Sequence, residues 1–153
     1  MDASPQSRMV VLRNGVVLGN GGFLREVTPL FNWGFGGKIG SGKQWMSWIH
    51  IEDLVALMLT ALRGERVEGV LNAVSPEPAR NAEITRQLAK ALHRPGVFPA
   101  PAFLIKAAFG QMSEVLLSSQ RVMPEKALGF GFKFKYPDLP SAMGAAIASL
   151  SET

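Results

Sequence analysis

The sequence predicts an α/β domain. Three observations carry that reading: β-branched runs of strand length, segments with helical spacing of apolar residues, and the regular alternation of the two. Strands alternating with helices of this length form parallel sheets. With 153 residues the chain holds one domain of ordinary size. Its 47% apolar residues suffice for a sizeable core and exclude global disorder. Charged residues make up 18%, below the roughly 25% of an average soluble domain.

Residues 9–12 and 16–18 are β-branched runs, the second followed by the turn signal Gly19-Asn20-Gly21-Gly22. Residues 23–33 have helical spacing through Phe23, Val27, Leu30 and Phe31, with a break or kink expected at Pro29. A Gly-rich loop over 35–42 leads to a short strand at 48–51. Glu52 and Asp53 then open a helix over 54–63, where acidic side chains suit the dipole, and Gly64 ends it. Residues 69–74 predict another strand, and Asn81 is expected to cap a helix over 82–92. After Pro95, Pro99 and Pro101, a helix is expected over 102–109, closed by Gly110, with helical continuation over 115–122. The alternation over 128–136 predicts a strand, and 139–150 a closing amphipathic helix. Two parts are expected, residues 1–92 and residues 93–153.

The absence of Cys excludes disulfides, thiolate zinc, iron–sulfur clusters and a cysteine nucleophile. No apolar run approaches the roughly 18 residues of a membrane span, and the N-terminus does not read as a signal peptide. The expected compartment is the cytoplasm, with the mitochondrion as the alternative. The net charge is +4, but the 16 Lys and Arg are scattered. Neither nucleic acid nor membrane is expected as a partner.

Gly37-Lys38-Ile39-Gly40-Ser41-Gly42-Lys43-Gln44 matches a P-loop until its last position, where Gln44 stands in place of the magnesium-holding hydroxyl. A Gly-rich connection is the favoured reading. Gly19-Asn20-Gly21-Gly22 fails the dinucleotide fingerprint because Leu24 occupies the position of its last glycine. There is no G-x-S-x-G elbow, no Tyr-x-x-x-Lys pair and no metal-ligand cluster. No residue of the chain is therefore assigned a catalytic or metal-binding role. His50 sits mid-strand, either orienting a site or buried and hydrogen-bonded; His93 ends a helix where a cation suits the dipole.

Leu12-Arg13-Asn14-Gly15-Val16-Val17-Leu18-Gly19, the segment 36–44, and Ser47-Trp48-Ile49-His50-Ile51-Glu52-Asp53-Leu54 together resemble the extended short-chain dehydrogenase/reductases. More narrowly they resemble the epimerase-like branch with a C-terminal domain of unknown function, as do residues 69–76, 81–83, 119–124 and 129–130. The resemblance extends over about residues 8–150 and covers the C-terminal half of such proteins. It implies late Rossmann strands plus a small mixed α/β substrate-side domain. It also implies NADP or NAD as cofactor, with the Gly-rich dinucleotide loop and the Tyr/Lys pair in the half not present here.

By that resemblance Arg13, Asn14, Gly15 and Val16 lie beside the cofactor, with Asn14 also meeting substrate and Arg13 anchoring the strand or a cofactor phosphate. Gln44, Met46, Trp48 and His50 join Asn14 as expected substrate contacts, and Asp53 is expected to cap its helix. Met46 occupies the position where nucleotide-sugar epimerases carry a diphosphate-binding Arg, which argues against a nucleotide-sugar substrate. The implied partners are a small-molecule substrate and either a second copy of the chain or a complementary N-terminal half. The implied function is the substrate-side half of an NAD(P)-dependent oxidoreductase or epimerase-like protein, inactive alone. The alternative is a non-catalytic binding or assembly module.

Overall fold

The computed structural model describes residues 8–64, 67–96, 98–100 and 102–151. Strands β1 (Val10–Asn14) and β2 (Val16–Leu18) form one extended run interrupted at Gly15. It changes neighbours there: β1 pairs in parallel with β5 (Gly69–Ala73), whereas β2 pairs in parallel with β4 (Trp48–His50). The Gly15 N–H still bonds Ala73 O at 3.1 Å, and the next amide, Val16, bonds Ser47 O at 2.8 Å. Beyond Ala73 the chain turns aside and Ser75 donates to Trp48 O at 2.6 Å, so β4 is wedged between β2 and the continuation of β5. A small antiparallel ribbon, β3 (Trp45–Met46) with β6 (Ala79–Arg80), lies beside this core.

Two apolar clusters lie on opposite faces of β2 and β4. The first joins Leu18 and Trp48 to helices α1 (Gly22–Asn32), α3 (Asn81–Ala91) and α7 (Leu139–Ser151). The second joins Ile49 to α2 (Ile51–Arg63) through Leu54, Leu57 and Ala61, and to Leu71 and Ala73 of β5. Leu12 and Val17, an odd spacing apart, both reach the second cluster, so the alternation of faces resets across Gly15. On β1 and β5 only one face is covered. Val11 and Val70 are register partners, and both are exposed on the other face. The outer side of α2 is similarly bare, with Ile51, Val55, Met58, Leu59 and Leu62 exposed at helical spacing.

The expected strands and main helices are present, with instructive exceptions. Helix α1 runs through Pro29 to Asn32 without a break. After α4 (Ala102–Phe109), helix α5 covers only Met112–Leu117; residues 118–122 are irregular, with Gln120 N–H bonding Trp45 O of β3, instead of continuing as helix. The strand expected over 128–136 is absent: α6 (Glu125–Gly129) covers its start and the remainder is irregular. Phe132 and Phe134 do point into the second cluster, edge to face with ring centroids 4.9 Å apart. The Phe132 N–H turns back to Ala127 O at 3.0 Å, and the two residues after Phe134 are held by a carboxylate, not by a neighbouring strand.

That carboxylate is Asp53, expected as the cap of its own helix. It is only 2% exposed, and it accepts the N–H of Lys135 at 2.7 Å and of Tyr136 at 2.9 Å. The N-cap of α2 is His50, whose ring nitrogen Nδ1 accepts from Glu52 N–H. Asn81 likewise differs from expectation: it is the first residue of α3, and its Oδ1 accepts from Ile39 N–H at 2.7 Å. Among the described residues no helix is long and apolar enough to cross a membrane.

Asp53→Ala removes two hydrogen bonds to a buried charge, each worth about 1.5–3 kcal/mol. The expected loss is about 3 kcal/mol from the urea midpoint, with the amides of Lys135 and Tyr136 losing hydrogen-exchange protection. Asp53→Asn keeps one acceptor oxygen and loses less.

Candidate functional site

The change of neighbours at Gly15 opens a cleft. As β5 leaves the extended run, the carboxyl ends of the two parallel strands are left facing outward, where open α/β sheets bind ligands. The cleft has a volume of about 1060 Å³. Arg13, Asn14, Gly15, Val16 and Asn72 line its floor, Trp45, Met46 and Ser47 one wall, and the 19–22 turn with Phe23 another. Phe109, Gln120 and Val122 complete it from the C-terminal half of the chain. Gly15 is required there because a Cβ would lie 2.6 Å from Ser47 O.

Ser47 ties the two halves of the wall together. Its Oγ donates to Gln120 O at 3.0 Å and accepts from Val122 N–H at 2.9 Å. Asn72 is fixed from behind by donating to Met123 O at 3.3 Å. Helix α1 begins at the cleft without a side-chain cap and without an acidic residue in its first turn. The Gly-rich segment before Trp45 runs into β3, not into a helix, so the strand–loop–helix frame of a P-loop is absent.

Of the residues expected from the sequence, Arg13, Asn14, Gly15, Val16 and Met46 share this cleft. The other three stand apart from it. Gln44 turns inward, its Nε2 donating to Ile39 O at 3.0 Å. Trp48 is fully buried, its Nε1 donating to Glu77 O at 2.8 Å. His50 is 3% exposed and packs against Tyr136, with ring centroids 4.0 Å apart. Tyr136, the only tyrosine, contacts Glu52 at 3.3 Å and lies outside the cleft lining. Asn72 was not singled out from the sequence, although an amide within the apolar run Val70-Leu71-Asn72-Ala73 is a signal for it.

No group of three or more His, Cys, Asp or Glu among the described residues could hold a metal ion. Residues 100–146 match a family model described as a domain of unknown function, DUF1731. The chain is 42% identical over 144 residues to human epimerase family protein SDR39U1, covering 93% of this chain and 49% of that protein. The chain is homologous to the C-terminal half of such epimerase-family proteins. A chloroplastic homologue from Arabidopsis thaliana is also 42% identical, over 95% of this chain and 42% of its own length. The chain thus spans about half the length of the curated relatives it matches.

A crystal structure of the human protein, isoform 2 with NADPH, superposes with a TM-score of 0.85 at 40% identity, over 94% of this chain and 50% of that one. A nucleoside-diphosphate sugar epimerase from Corynebacterium glutamicum gives 0.71 at 32% identity, over 92% and 26% of the two chains. The Thermus thermophilus UDP-glucose 4-epimerase, at 17% identity and a TM-score of 0.65 over 94% and 47%, shares the Rossmann-type fold.

Burial lowers the basicity of His50 below the usual 6.5, outweighing the attraction of Glu52 and Asp53. Its Nδ1 must be unprotonated to cap α2, and its Nε2 has no hydrogen-bond partner among the described residues. The unfolded chain therefore takes up this proton more readily than the folded one. Stability is expected to fall as pH drops below about 6.5 and to level off above it. In His50→Asn, which keeps a capping acceptor, thermal melts between pH 5 and 7 should be flat. For Ser47→Ala, amide exchange at Val122 should quicken at least tenfold, with about 1 kcal/mol lost in global stability.

Proposed function

We propose that this chain forms the substrate-side half of an NAD(P)-dependent oxidoreductase or epimerase-like protein, completed by a dinucleotide-binding half. The observation that carries the reading is the incomplete sheet: β1 and β5 run parallel, yet one face is bare and the edge of β1 away from β5 has no strand partner among the described residues. Parallel sheets are otherwise covered on both faces. A further parallel strand with its helices fits this edge and face, and the bare stripe on α2 continues the same unpartnered surface.

The residues fit one end of a dinucleotide and not the whole of it. Arg13, Asn14, Gly15 and Val16 offer a floor open to a flat ring, while the Gly-rich phosphate loop is absent from the sequence. When bound, the nicotinamide supplies or accepts hydride. The work of this chain is then to shape the substrate's position: the Asn14 amide hydrogen-bonds the substrate, Met46 and Trp45 exclude water, and Asn72 keeps the floor rigid. A Tyr/Lys proton-transfer pair has to come from the other half. The human relative crystallised with NADPH supports NADP or NAD as the cofactor. The proposed compartment is the cytoplasm, with an organelle as the alternative that the plant relative supports.

The second reading, a non-catalytic assembly module, is favoured by Tyr136 lying outside the cleft. The two separate by titration calorimetry with NADPH, after light scattering of the chain alone and of the chain mixed with the N-terminal half of an SDR39U1 relative. The expected result is no micromolar NADPH binding by the chain alone, a one-to-one complex, and micromolar binding by that complex. Val11→Lys should weaken the complex at least tenfold without unfolding the chain. A folded chain that associates only with itself and leaves NADPH unbound in every mixture would overturn the proposal in favour of the module.

A further inference from the structure

Trp45 stands in the cleft wall with two guanidinium groups against its indole. The Arg80 Cζ lies 4.5 Å from the ring centroid and the Arg121 Cζ 5.1 Å. Backbone pairing fixes both. Arg80 is the direct cross-strand partner of Trp45 in the β3–β6 ribbon. On the other side, Trp45 donates its N–H to Ser119 Oγ and accepts from Gln120 N–H, each at 3.1 Å, which brings Arg121 alongside. Arg80 is steadied further by donating to Lys43 O at 2.6 Å.

Neither guanidinium meets a carboxylate among the described residues. The ion pairs among the described residues are Arg86 with Glu83 and Lys135 with Glu52. Stacking on the indole contributes about 0.5–1 kcal/mol for each guanidinium at an exposed site and leaves both charges without an anionic partner among the described residues. Trp45 joins this rim to the cleft, whose lining includes Trp45 and Arg13 but not Arg80 or Arg121, and Glu26 is the one acidic residue among the described lining residues. A small anion placed at the rim would meet paired N–H donors of the kind that bind carboxylate and phosphate oxygens two at a time. The indole would pack against the apolar body that follows.

We infer that Arg80, Trp45 and Arg121 form an anion-binding rim, and that the substrate of the cleft carries a carboxylate or phosphate group at the end held there. The word substrate rests on the function proposed above; the anion site does not.

The test follows the three indole N–H resonances of the ¹⁵N-labelled chain, with that of Trp45 assigned through Trp45→Phe. Inorganic phosphate and succinate are titrated separately at constant ionic strength. Saturable movement of the Trp45 resonance, with Trp33 still, is the expected result; saturation by one anion alone supports the rim and names the group. The apparent Kd should rise at least tenfold in Arg80→Gln and Arg121→Gln, recover in part with Lys at either position, and stay unchanged in Arg86→Gln. Spectral dispersion verifies that each variant is folded, and phenylglyoxal labelling of Arg80 and Arg121, slowed by phosphate, gives a second readout.

The inference is overturned if Trp45 drifts linearly with anion concentration, or if both Gln variants respond like the unaltered chain. A third arm adds NADPH: saturation by NADPH that phosphate and succinate cannot displace would assign the rim to a cofactor and overturn the substrate assignment. Neither of the first two arms uses NADPH or a second protein half. Failure of the rim therefore leaves the assembly question open to its own test, and failure of assembly leaves the rim measurable.

Discussion

The close approach of Gly15 to the Ser47 carbonyl governs the arrangement of the whole molecule. At that point one extended run ceases to pair with β5 and begins to pair with β4. The exchange needs a residue with no side chain, since a Cβ would lie 2.6 Å from Ser47 O. Once it is made, β5 must swing away, β4 must enter, and the carboxyl ends of β1 and β5 are left exposed together. The cleft is the space that this exchange creates. Ser47 then binds the 120–122 segment with its hydroxyl, so the residue that constrains Gly15 also closes the cleft wall.

The two ends of the run have opposite environments. Around β4 both faces are filled, Trp48 on one side and Ile49 on the other, and this part of the sheet is finished. Around β1 and β5 the chain covers one face only, leaving Val11 and Val70 in water. A parallel pair of this length is marginal by itself, and here it leans on α2, whose own outer side is apolar. The same chain thus presents one part of the sheet covered on both faces and another covered on one.

The parts of the fold legible in the sequence were those with a strong local signal. The β-branched runs at Val10 and Val16, the helix ended by Gly64 and the strand at Val70 were readable from period and punctuation. The segment 128–136 was not. Its alternation of Phe132 and Phe134 is genuine and both rings pack against the core, but its first amides turn back onto α6 and its last two are claimed by Asp53, a partner that no local pattern reveals. Trp48 and His50 lie apart from the cleft for another reason: β4 is buried on both faces, so no local pattern there separates core from cleft. In the cleft lining, Arg13 to Val16 and Met46 are residues that the family resemblance names. Asn72 was missed because its neighbour in the register, Arg13, lies far from it in sequence.

Asp53 and Lys135 are 82 positions apart, and the contact between them has a consequence for how the chain is made. A ribosome releases the chain from its N-terminus at about 5–20 residues per second. When α2 emerges, the two amides that its buried carboxylate requires have not yet been synthesised. Until they arrive Asp53 must stay hydrated, and the start of α2 cannot settle into the second cluster. The segment from Lys135 onward therefore acts as the closing step of folding. A nascent chain stalled before Lys135 would lack both that bond and α7, which completes the first cluster, a form suited to capture by chaperones.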